Sequence, residues 1–317
     1  MHAVISHADQ VYASANSTVA SSAVVASWRR CMTMHHLAPE DRRLPFRLTD
    51  EEFLAARERS HALVAHASDE LDRLFTVVGK AGCCILMTDR EGIALDRRGT
   101  GGDDKDFHDL GLWTGSVWSE ESIGTNGIGT AIAEDRPITI IRDQHFFCSN
   151  IDLSCTTAPI RDHRGQLAGA LDVSTCRSDA TDSTIAILSH TVREAAARIE
   201  INLFRHAFSG ARFVLLPSET GSPAALLAVD RDDIVLGATR AARLALKLDD
   251  HRIAEGVPAS DLLQEGPATS IAALQDAERA ALLRALSRSQ GNVSQAAAAL
   301  GLSRSTLHRK MKRFGLH

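Results

Sequence analysis

Basic side chains at helical spacing near the end of the chain have the chemistry to contact the phosphates and base edges of a nucleic acid. The run 303–313 contains five Lys or Arg residues and no Asp or Glu. Leu307, Met311 and Phe314 recur at spacings of three and four, which predicts the buried stripe of a helix. The remaining side chains of that helix are therefore available to a partner.

A second helix is predicted directly before this one. Ala296, Ala297 and Leu300 place small and apolar side chains on one face, which allows another helix to cross closely. Gly301 can adopt the left-handed conformation that ends a helix, and Ser303 can cap the helix that follows. Two helices separated by so short a break predict a helix-turn-helix, whose second helix enters the major groove of double-stranded DNA.

The distribution of charge favours the same interpretation. The whole chain has a formal net charge of −5, whereas residues 279–317 contain eight Lys or Arg and no acidic residue, so the preceding residues carry −13. A basic end on an acidic body is typical of a DNA-binding module that works separately from the rest. A solvated basic helix without a partner would also explain the charge, but it would not explain the Gly-Leu-Ser break.

Motif residues spread over both helices resemble the Fis-type helix-turn-helix of bacterial transcription regulators. They are Gly291-Asn292, Ala296-Ala297, Leu300-Gly301, the run 303–307 and Arg309-Lys310. The resemblance implies a preceding helix that pairs two subunits into a homodimer. Residues 271–286 suit that role, with apolar side chains at Ile271, Leu274, Ala281, Leu282 and Leu286. Two recognition helices would then meet half-sites of a palindromic operator about 34 Å apart.

Positions in the recognition helix predict which residues contact DNA. Residues near the start of the helix are expected to approach base edges, and they are Arg304, Ser305, Thr306 and His308. Later basic residues are expected to meet phosphates, and they are Arg309, Lys312 and Arg313. Ser303 and Lys310 complete the predicted DNA-binding set.

Cysteine and histidine side chains raise the question of metal or redox chemistry. His145, Cys148 and Cys155 lie in one region, and Cys83-Cys84 lie in another. The spacing His-x2-Cys-x6-Cys matches no zinc pattern, and cysteine often serves as a small buried hydrophobe. We therefore predict no metal, no cofactor and no catalytic residue. Six cysteines without a Cys-x-x-Cys pattern predict a reducing cytoplasm.

The length and composition set the broad class. A chain of 317 residues fits two domains and a small module. The first ten residues contain an Asp and no apolar core, which argues against a secretory signal. The longest apolar stretch, 77–87, is broken by Lys80 and is too short to span a membrane. The composition predicts a cytoplasmic, nucleoid-associated protein.

Two long helices are predicted before and after a sheet. Residues 1–48 form an N-terminal segment, in which 1–20 lack periodicity and are expected to be mobile and 22–34 form a short helix. A single helix is predicted over 49–78, beginning with a Thr-x-x-Glu capping box, and another over 179–208. Their apolar side chains step by threes and fours. These apolar stripes could pair two subunits in a dimer or pack onto the protein's own sheet, and the sequence fits both alternatives equally well.

Between the two helices the hydrophobic period changes to that of strands. Strands are predicted at 83–88, 92–97, 138–141, 156–160 and 167–173. The turn sequences Asp-Arg-Glu-Gly and Asp-His-Arg-Gly predict hairpins and an antiparallel sheet. Residues 49–208 are therefore predicted to be one domain with its flanking helices.

A smaller unit is predicted over residues 212–265. Strands are predicted at 226–230 and 234–237 and a helix at 239–246. The pattern Val229-Asp230-x-x-x-Ile234-Val235-x-Gly237-Ala238-x-x-Ala241-Ala242 resembles the opening of a PAS domain, although the segment is short for a complete one. Pro258 and Gly266-Pro267 predict a linker, and the DNA-binding domain is placed at 270–317.

The densest motifs of the chain lie in the middle domain. They are the runs 118–132 and 145–147, Cys155-x-x-Ala158-Pro159-Ile160, and 165–174. They resemble the GAF sensor of acetoin-catabolism regulators, which are bacterial enhancer-binding activators. The resemblance implies a small-molecule or metabolic effector, with a pocket at Trp118, Thr125, Asn126, His145 and Cys155. A tight packing turn without a ligand, and Trp118 in the core, remain alternatives.

The chain departs from the enhancer-binding activators in one respect. Those activators carry an ATPase with a Gly-x-x-x-x-Gly-Lys-[Ser/Thr] phosphate loop, and no such run occurs here. The nearest run, 99–105, contains two aspartates that would repel phosphate. About 60 residues separate the sensor from the DNA-binding helices, too few for that ATPase. We therefore expect regulation without ATP hydrolysis, by DNA occupancy or by recruiting RNA polymerase or a related regulator.

Together these patterns predict an α+β multi-domain protein. Its parts are a GAF-like antiparallel sheet flanked by long helices, a short PAS-like segment and a C-terminal all-α Fis-type helix-turn-helix. The predicted function is a one-component bacterial transcription regulator. One alternative is a Fis-like architectural DNA-binding protein whose sensor serves dimerisation. Another is a GAF-type enzyme that reduces methionine sulfoxide with a cysteine cluster.

Overall fold

A computed structural model describes residues 6–16, 22–102, 104–216, 225–263, 278–279, 281–286, 289 and 291–316. The chain divides into two compact units, Met1–Ala259 and Ser260–His317. The first unit combines helices with antiparallel sheet, and the described part of the second is helical. The predicted α+β class is confirmed.

A five-stranded antiparallel sheet organises the first unit. Its order is β2-β1-β5-β4-β3, with β1 at Cys83–Asp89, β2 at Ala94–Arg98, β3 at Ile138–Ile141, β4 at Ser154–Arg161 and β5 at Leu167–Thr175. The turn 89–92 joins β1 to β2 and the turn 162–165 joins β4 to β5, so both predicted hairpins are confirmed. Each turn ends on a glycine with positive φ, Gly92 and Gly165, a conformation that costs glycine little.

Long helices cover one face of this sheet. They are α3 at Asp50–Arg59, α4 at His61–Val78 and α8 at Asp182–Ala207. Their apolar stripes are buried in one core with β1, β4 and β5, and the stripe residues include Leu63, Leu71, Leu74, Leu188, Val192 and Ile199. Of the two alternatives for these stripes, the structure shows packing onto the protein's own sheet.

The predicted single helix over 49–78 is wrong, because the chain breaks at Ser60. Ser60 has φ −104° and ψ 17°, which ends α3 and starts α4. No Gly or Pro marks this break, and the apolar spacing continues across it. The predicted capping box is confirmed, since Thr49 Oγ1 accepts the Glu52 N–H and the Glu52 carboxylate accepts the Thr49 N–H.

Short helices and loops cover the opposite face of the sheet. They are α1 at His7–Ala15, α2 at Ala23–Thr33, α5 at Asp104–Asp109, α6 at Glu120–Ile123 and α7 at Gly127–Glu134. The expectation of a mobile, aperiodic start is wrong for His7–Ala15. This helix has a capping box between Ser6 and Asp9, and Val11 and Ala15 are buried. Two buried apolar residues one helical turn apart are too few to give a recognisable helical period in the sequence.

The N-terminal helices contribute directly to the sensor core. Val11 and Ala15 of α1 and Trp28 and Cys31 of α2 belong to one buried cluster with Trp118 and the neighbouring aromatic side chains. A boundary at residue 49 would therefore separate side chains that pack together.

A three-stranded sheet completes the first unit. Its order is β6-β7-β8, with β6 at Arg212–Leu215, β7 at Leu226–Val229 and β8 at Val235–Ala238, followed by α9 at Arg240–Leu246 and α10 at Asp250–Ala254. The helix α11, at Ala259–Leu263, begins at the last residue of this unit. The predicted strand pair and the helix after it are confirmed. The prediction lacked β6, a strand of four residues. Pro258, assigned to a linker, forms an isolated bridge with Ile234.

The second unit contains the two helices predicted at its end, Val293–Ala299 and Arg304–Arg313. Their core includes Leu282, Ala285, Ala296, Ala297, Leu307 and Met311. Residues 278–279 and 281–286 are helical, which agrees with the end of the predicted preceding helix. Ile271, Leu274 and Gly266-Pro267 lie outside the described residues.

Candidate DNA-binding surface and sensor interior

A side-chain cap starts each of the two C-terminal helices. The Asn292 side-chain oxygen Oδ1 accepts the backbone N–H groups of Ser294 and Gln295 at 3.1 and 3.2 Å. Gly301 has φ +65°, and the Ser303 hydroxyl accepts the Thr306 N–H at 3.1 Å. These contacts satisfy backbone donors that a helix start leaves without intrahelical partners. The predicted cap at Ser303 is confirmed.

The recognition helix, Arg304–Arg313, buries one face and exposes the opposite one. Leu307 and Met311 are buried against Ala296 and Ala297 of the preceding helix. Ser305, Arg309 and Lys312 lie on the opposite face by helical spacing and are exposed. Arg304 and His308 flank the buried stripe and are also exposed. Among the described residues, Arg304, Arg309 and Lys312 have no acidic partner.

Two of the predicted DNA contacts also pair within the module. Lys310 forms an ion pair with Glu278, and the Arg313 guanidinium lies 3.9 Å from the same carboxylate. The hydrogen bond from Lys310 holds the pKa of Glu278 below its usual range. Glu278 is therefore a site residue that the sequence-based argument missed, although it is the last acidic residue of the chain.

The five residues predicted to form an effector pocket lie in the packed interior of the first unit. Trp118 is 1% exposed and donates its indole N–H to the Gly111 carbonyl at 3.1 Å. The Asn126 side chain caps α7: its Oδ1 accepts the Gly129 N–H, and its Nδ2 donates to the Gly124 backbone carbonyl. A ligand that reached these residues would have to displace interior side chains.

Close backbone contacts explain the glycines of this motif. A Cβ atom at Gly129 would lie 2.5 Å from the Glu120 backbone nitrogen, and one at Gly127 would lie 2.5 Å from the Thr157 hydroxyl. The Gly-x-Gly spacing therefore lets α7 approach both α6 and the sheet, which agrees with the packing alternative for this motif.

Thr125 belongs to a buried polar cluster that joins α2 to α6 and α7. The Ser27 hydroxyl lies 2.6 Å from the Thr125 hydroxyl and donates to the Glu120 carboxylate at 2.5 Å. Arg30 donates to both Glu120 oxygens at 2.8 and 2.9 Å and to Glu134 at 2.7 Å. The Arg30 guanidinium is the counter-ion of the Glu120 carboxylate, whose side chain is 4% exposed. We call Ser27, Arg30, Glu120 and Glu134 the α2 clamp.

His145 and Cys155 belong to a buried hydrogen-bond chain across β4 and β5. His145 Nδ1 lies 3.0 Å from the Arg142 carbonyl, which can only accept, so this nitrogen carries the proton. His145 Nε2 is then an acceptor, and it lies 3.4 Å from the Cys155 sulfur. The Ser174 hydroxyl lies 3.1 Å from that sulfur and 2.6 Å from the Asp172 carboxylate.

Burial controls the ionisation of the side chains in this hydrogen-bond chain. It lowers the pKa of His145 to about 4 and raises the pKa of Asp172 to about 6, although hydroxyl hydrogen bonds from Ser174 and Thr157 lower the latter. Burial also raises the pKa of the Cys155 thiol well above its usual value. A thiol held neutral is a weak nucleophile, so Cys155 is poorly suited to thiol redox chemistry.

The described grooves at the surface of the first unit are lined by other residues. Arg59 and Asp162 contribute to one groove, and Arg161 and Glu200 contribute to another. Within the described part of the chain, no group of three or more His, Cys, Asp or Glu could hold a metal ion. None of the helices described there is both long and apolar enough to cross a membrane.

Comparisons with known proteins agree with this two-part architecture, in which an α+β sensor-type domain precedes a helix-turn-helix. The model of the MimR N-terminal domain matches residues 8–200, and that of the Fis family of bacterial regulatory proteins matches residues 273–314. The chain belongs to the family of the MimR N-terminal domain and carries a Fis-family helix-turn-helix. The predicted resemblance to acetoin-type regulators is confirmed.

Similar proteins are transcription regulators by name. The acetoin catabolism regulatory protein of Cupriavidus necator is 31% identical over 72% of this chain and 35% of its own length. The propane 2-monooxygenase operon transcriptional activator MimR of Mycolicibacterium smegmatis is 28% identical over 58% of this chain and 30% of its own length. The chain therefore spans about a third of the length of each of these relatives.

A solved structure supports the fold. One chain of the Escherichia coli DhaR(N)–DhaL complex superposes on this protein with a TM-score of 0.51 at 18% identity, over 81% of this chain and 87% of that one.

The α2 clamp and the buried hydrogen bonds of His145, Cys155 and Asp172 had no signal in the sequence. Each set joins residues that are far apart along the chain.

Proposed function

We propose that this protein is a one-component bacterial transcription regulator, cytoplasmic and associated with the nucleoid. Its sensor domain responds to a small-molecule or metabolic signal, and its helix-turn-helix binds a palindromic operator as a homodimer. The relatives named above act on transcription, which supports the class of activity. The protein is proposed to act without catalysing a reaction of its own.

The recognition helix is the observation that carries this proposal. Its cap and its buried stripe hold the helix against its neighbour, so the opposite face is free to enter a groove. Arg304, Arg309 and Lys312 on the exposed surface lack acidic partners among the described residues. Guanidinium and ammonium groups on one helix supply both base and phosphate contacts. The proposed contact set also includes Ser305, Thr306, His308 and Arg313.

Regulation without ATP hydrolysis is part of the proposal. The α8 helix ends at Ala207, the small three-stranded sheet follows, and the Fis-family match begins at residue 273. The intervening chain has no phosphate-binding loop. We therefore propose that the protein acts by occupying DNA, and that its protein partner is RNA polymerase or a related regulator.

Selection of binding sites from the fragmented DNA of the host tests the proposal. The purified full chain should enrich a few palindromic sites at physiological salt. The Arg309→Ala variant should lose this enrichment, whereas Arg231→Ala, which alters an exposed arginine of the first unit, should keep it. Light scattering of the same preparations should give the mass of a dimer.

The architectural alternative predicts a different result. Broad occupancy without a shared motif, strongly weakened by salt, would favour a Fis-like accessory protein. If the Arg309→Ala variant still enriches the same palindromic sites, the proposed DNA-contacting surface of the recognition helix would be rejected.

A further inference from the structure

A groove on the first unit lies between the outer side of α8, the end of β4 and the helix α9. Its volume is about 470 Å³, within the range of roughly 300–1,000 Å³ typical of small-molecule sites. None of the four residues of the α2 clamp lines this groove. It involves none of the five interior residues predicted to form the effector pocket.

One side of the groove is apolar and open to solvent. Ala158 and Pro159 of β4, Ala197 of α8 and Ala241 and Leu244 of α9 line it. Leu244 is 70% exposed, so its isobutyl group faces water in the free protein. Covering this side chain with the apolar part of a ligand would be favourable, at roughly 25 cal/mol per Å² of apolar surface removed from water.

The groove also offers hydrogen-bond donors that the protein does not use. Arg193 on α8 lines it and has no acidic partner among the described residues. Arg161 donates to Asp135 at 2.6 Å through one terminal nitrogen, and its other terminal nitrogen lies 3.8 Å from Glu200, whereas its buried Nε has no partner among the described residues. Buried donors are normally satisfied. The exposed Arg193 guanidinium, which has no acidic partner among the described residues, can bind an external anionic oxygen in this groove.

The acidic side chains of the groove limit the charge of such a ligand. Glu200 accepts the Arg161 backbone N–H at 2.8 Å, and burial raises its pKa to about 7. Glu194 is exposed at the rim. Asp135 already engages Arg161 and lies 3.4 Å from Arg240. These carboxyl groups would repel a dianion such as a phosphate monoester, so a single negative charge fits better.

We propose that this groove binds a small organic acid, with its carboxylate on Arg193 and its apolar chain or ring against Leu244 and Ala197. The bound acid would link α9, which follows the three-stranded sheet, to α8 of the sensor. Any effect of this link on DNA occupancy rests on the proposed function, whereas the binding site itself does not.

Titration calorimetry of the full chain tests the site. Hexanoate and benzoate serve as probes, with hexanol as the neutral control and hexylamine as the cationic one. We expect saturable binding of at least one acid and at least about tenfold weaker binding of hexanol, as expected if the ion pair contributes about 1.4 kcal/mol. Hexylamine should not bind.

Matched variants localise the binding. Arg193→Gln should weaken binding of the acid at least about tenfold, and Arg205→Gln, another exposed arginine of α8 outside the groove, should leave it unchanged. Leu244→Ser should weaken binding without changing the preference for acid over amine. Arg193 is exposed and has no acidic partner among the described residues, so we expect Arg193→Gln to leave the fold intact.

The outcomes separate the site from the proposed function. Failure of both acids to bind saturably into the millimolar range would overturn the site, and so would binding that survives Arg193→Gln. DNA binding by the ligand-free protein would be unaffected by either result. Acid binding by a protein that fails to bind DNA would leave the site standing and reject the proposed function.

Discussion

At the scale of single residues, the sensor interior is defined by polar groups whose partners lie on other segments. Asp172 is buried and accepts hydrogen bonds from the hydroxyls of Thr157 and Ser174 at 2.5 and 2.6 Å. These donors are neutral, so they only partly offset the cost of burying a charge. The carboxyl group is therefore easier to protonate in the folded protein than in the unfolded chain.

This difference predicts how Asp172 affects stability with pH. Its pKa of about 6 lies above the ordinary value of 3.8, so the folded state retains the proton over a range in which the unfolded chain loses it. The contribution to stability is present below about pH 4 and is lost as the pH rises through about 6. The loss amounts to about 3 kcal/mol. An asparagine at position 172 does not titrate, so its contribution to stability would not change over this pH range.

Urea denaturation of Asp172→Asn across this pH range measures the effect. The stability of the variant relative to the native protein should rise between about pH 4 and 6. His145, with a pKa lowered to about 4, has the opposite pH dependence, but it is present in both proteins and cancels in the difference. Asp69→Asn, an exposed change on α4, should show a flat difference. A flat difference for Asp172→Asn would contradict the assignment.

At the scale of elements, the structure depends on caps and on one clamp. The recognition helix is ten residues long, which is short for a helix to be stable by itself. The Ser303 cap and the packing of Leu307 and Met311 therefore decide whether its reading surface stays ordered. In the first unit, Arg30 and Glu120 hold α2 against α6, and this contact brings Trp28 and Cys31 into the core.

Loss of the cap should loosen the recognition helix. Ser303→Ala removes the acceptor for the Thr306 N–H, at a cost of about 1 kcal/mol. Amide hydrogen exchange over 304–313 in the full chain should then be about fivefold faster where local opening controls exchange. Ser294→Ala, an exposed serine of the preceding helix whose side chain makes no described hydrogen bond, is the control. Equal exchange rates in the two variants would reject the role of the cap.

Breaking the α2 clamp should destabilise the whole first unit. Arg30→Gln leaves the Glu120 carboxylate buried without its cation, which we expect to cost about 3 kcal/mol. This value is at the low end for a buried pair, since the Arg30 side chain is 26% exposed. Chemical denaturation measures it, with Arg57→Gln on the exposed side of α3 as the control. A loss no greater than that of the control would mean that the clamp adds little.

At the scale of the whole molecule, local patterns in the sequence predicted the elements, and contacts distant in sequence set their arrangement. Period-two runs and turn residues predicted the five-stranded sheet, and the Gly301–Ser303 break predicted the helix-turn-helix. The break at Ser60 had no local signal, because the apolar spacing continues across it. The ion pair between Lys310 and Glu278 and the groove between α8 and α9 join segments whose adjacency no spacing reveals.

The central claim is that an exposed face of the recognition helix reads DNA. Its most direct test is the affinity of the full chain for a selected site and for a scrambled duplex over a range of salt. Arg304→Ala should weaken binding to the selected site by about tenfold or more and affect the scrambled duplex less. Lys312→Ala should weaken both similarly and reduce the salt slope by about 1. Equal affinity of the native protein for both duplexes, or equal effects of the two variants, would contradict the account.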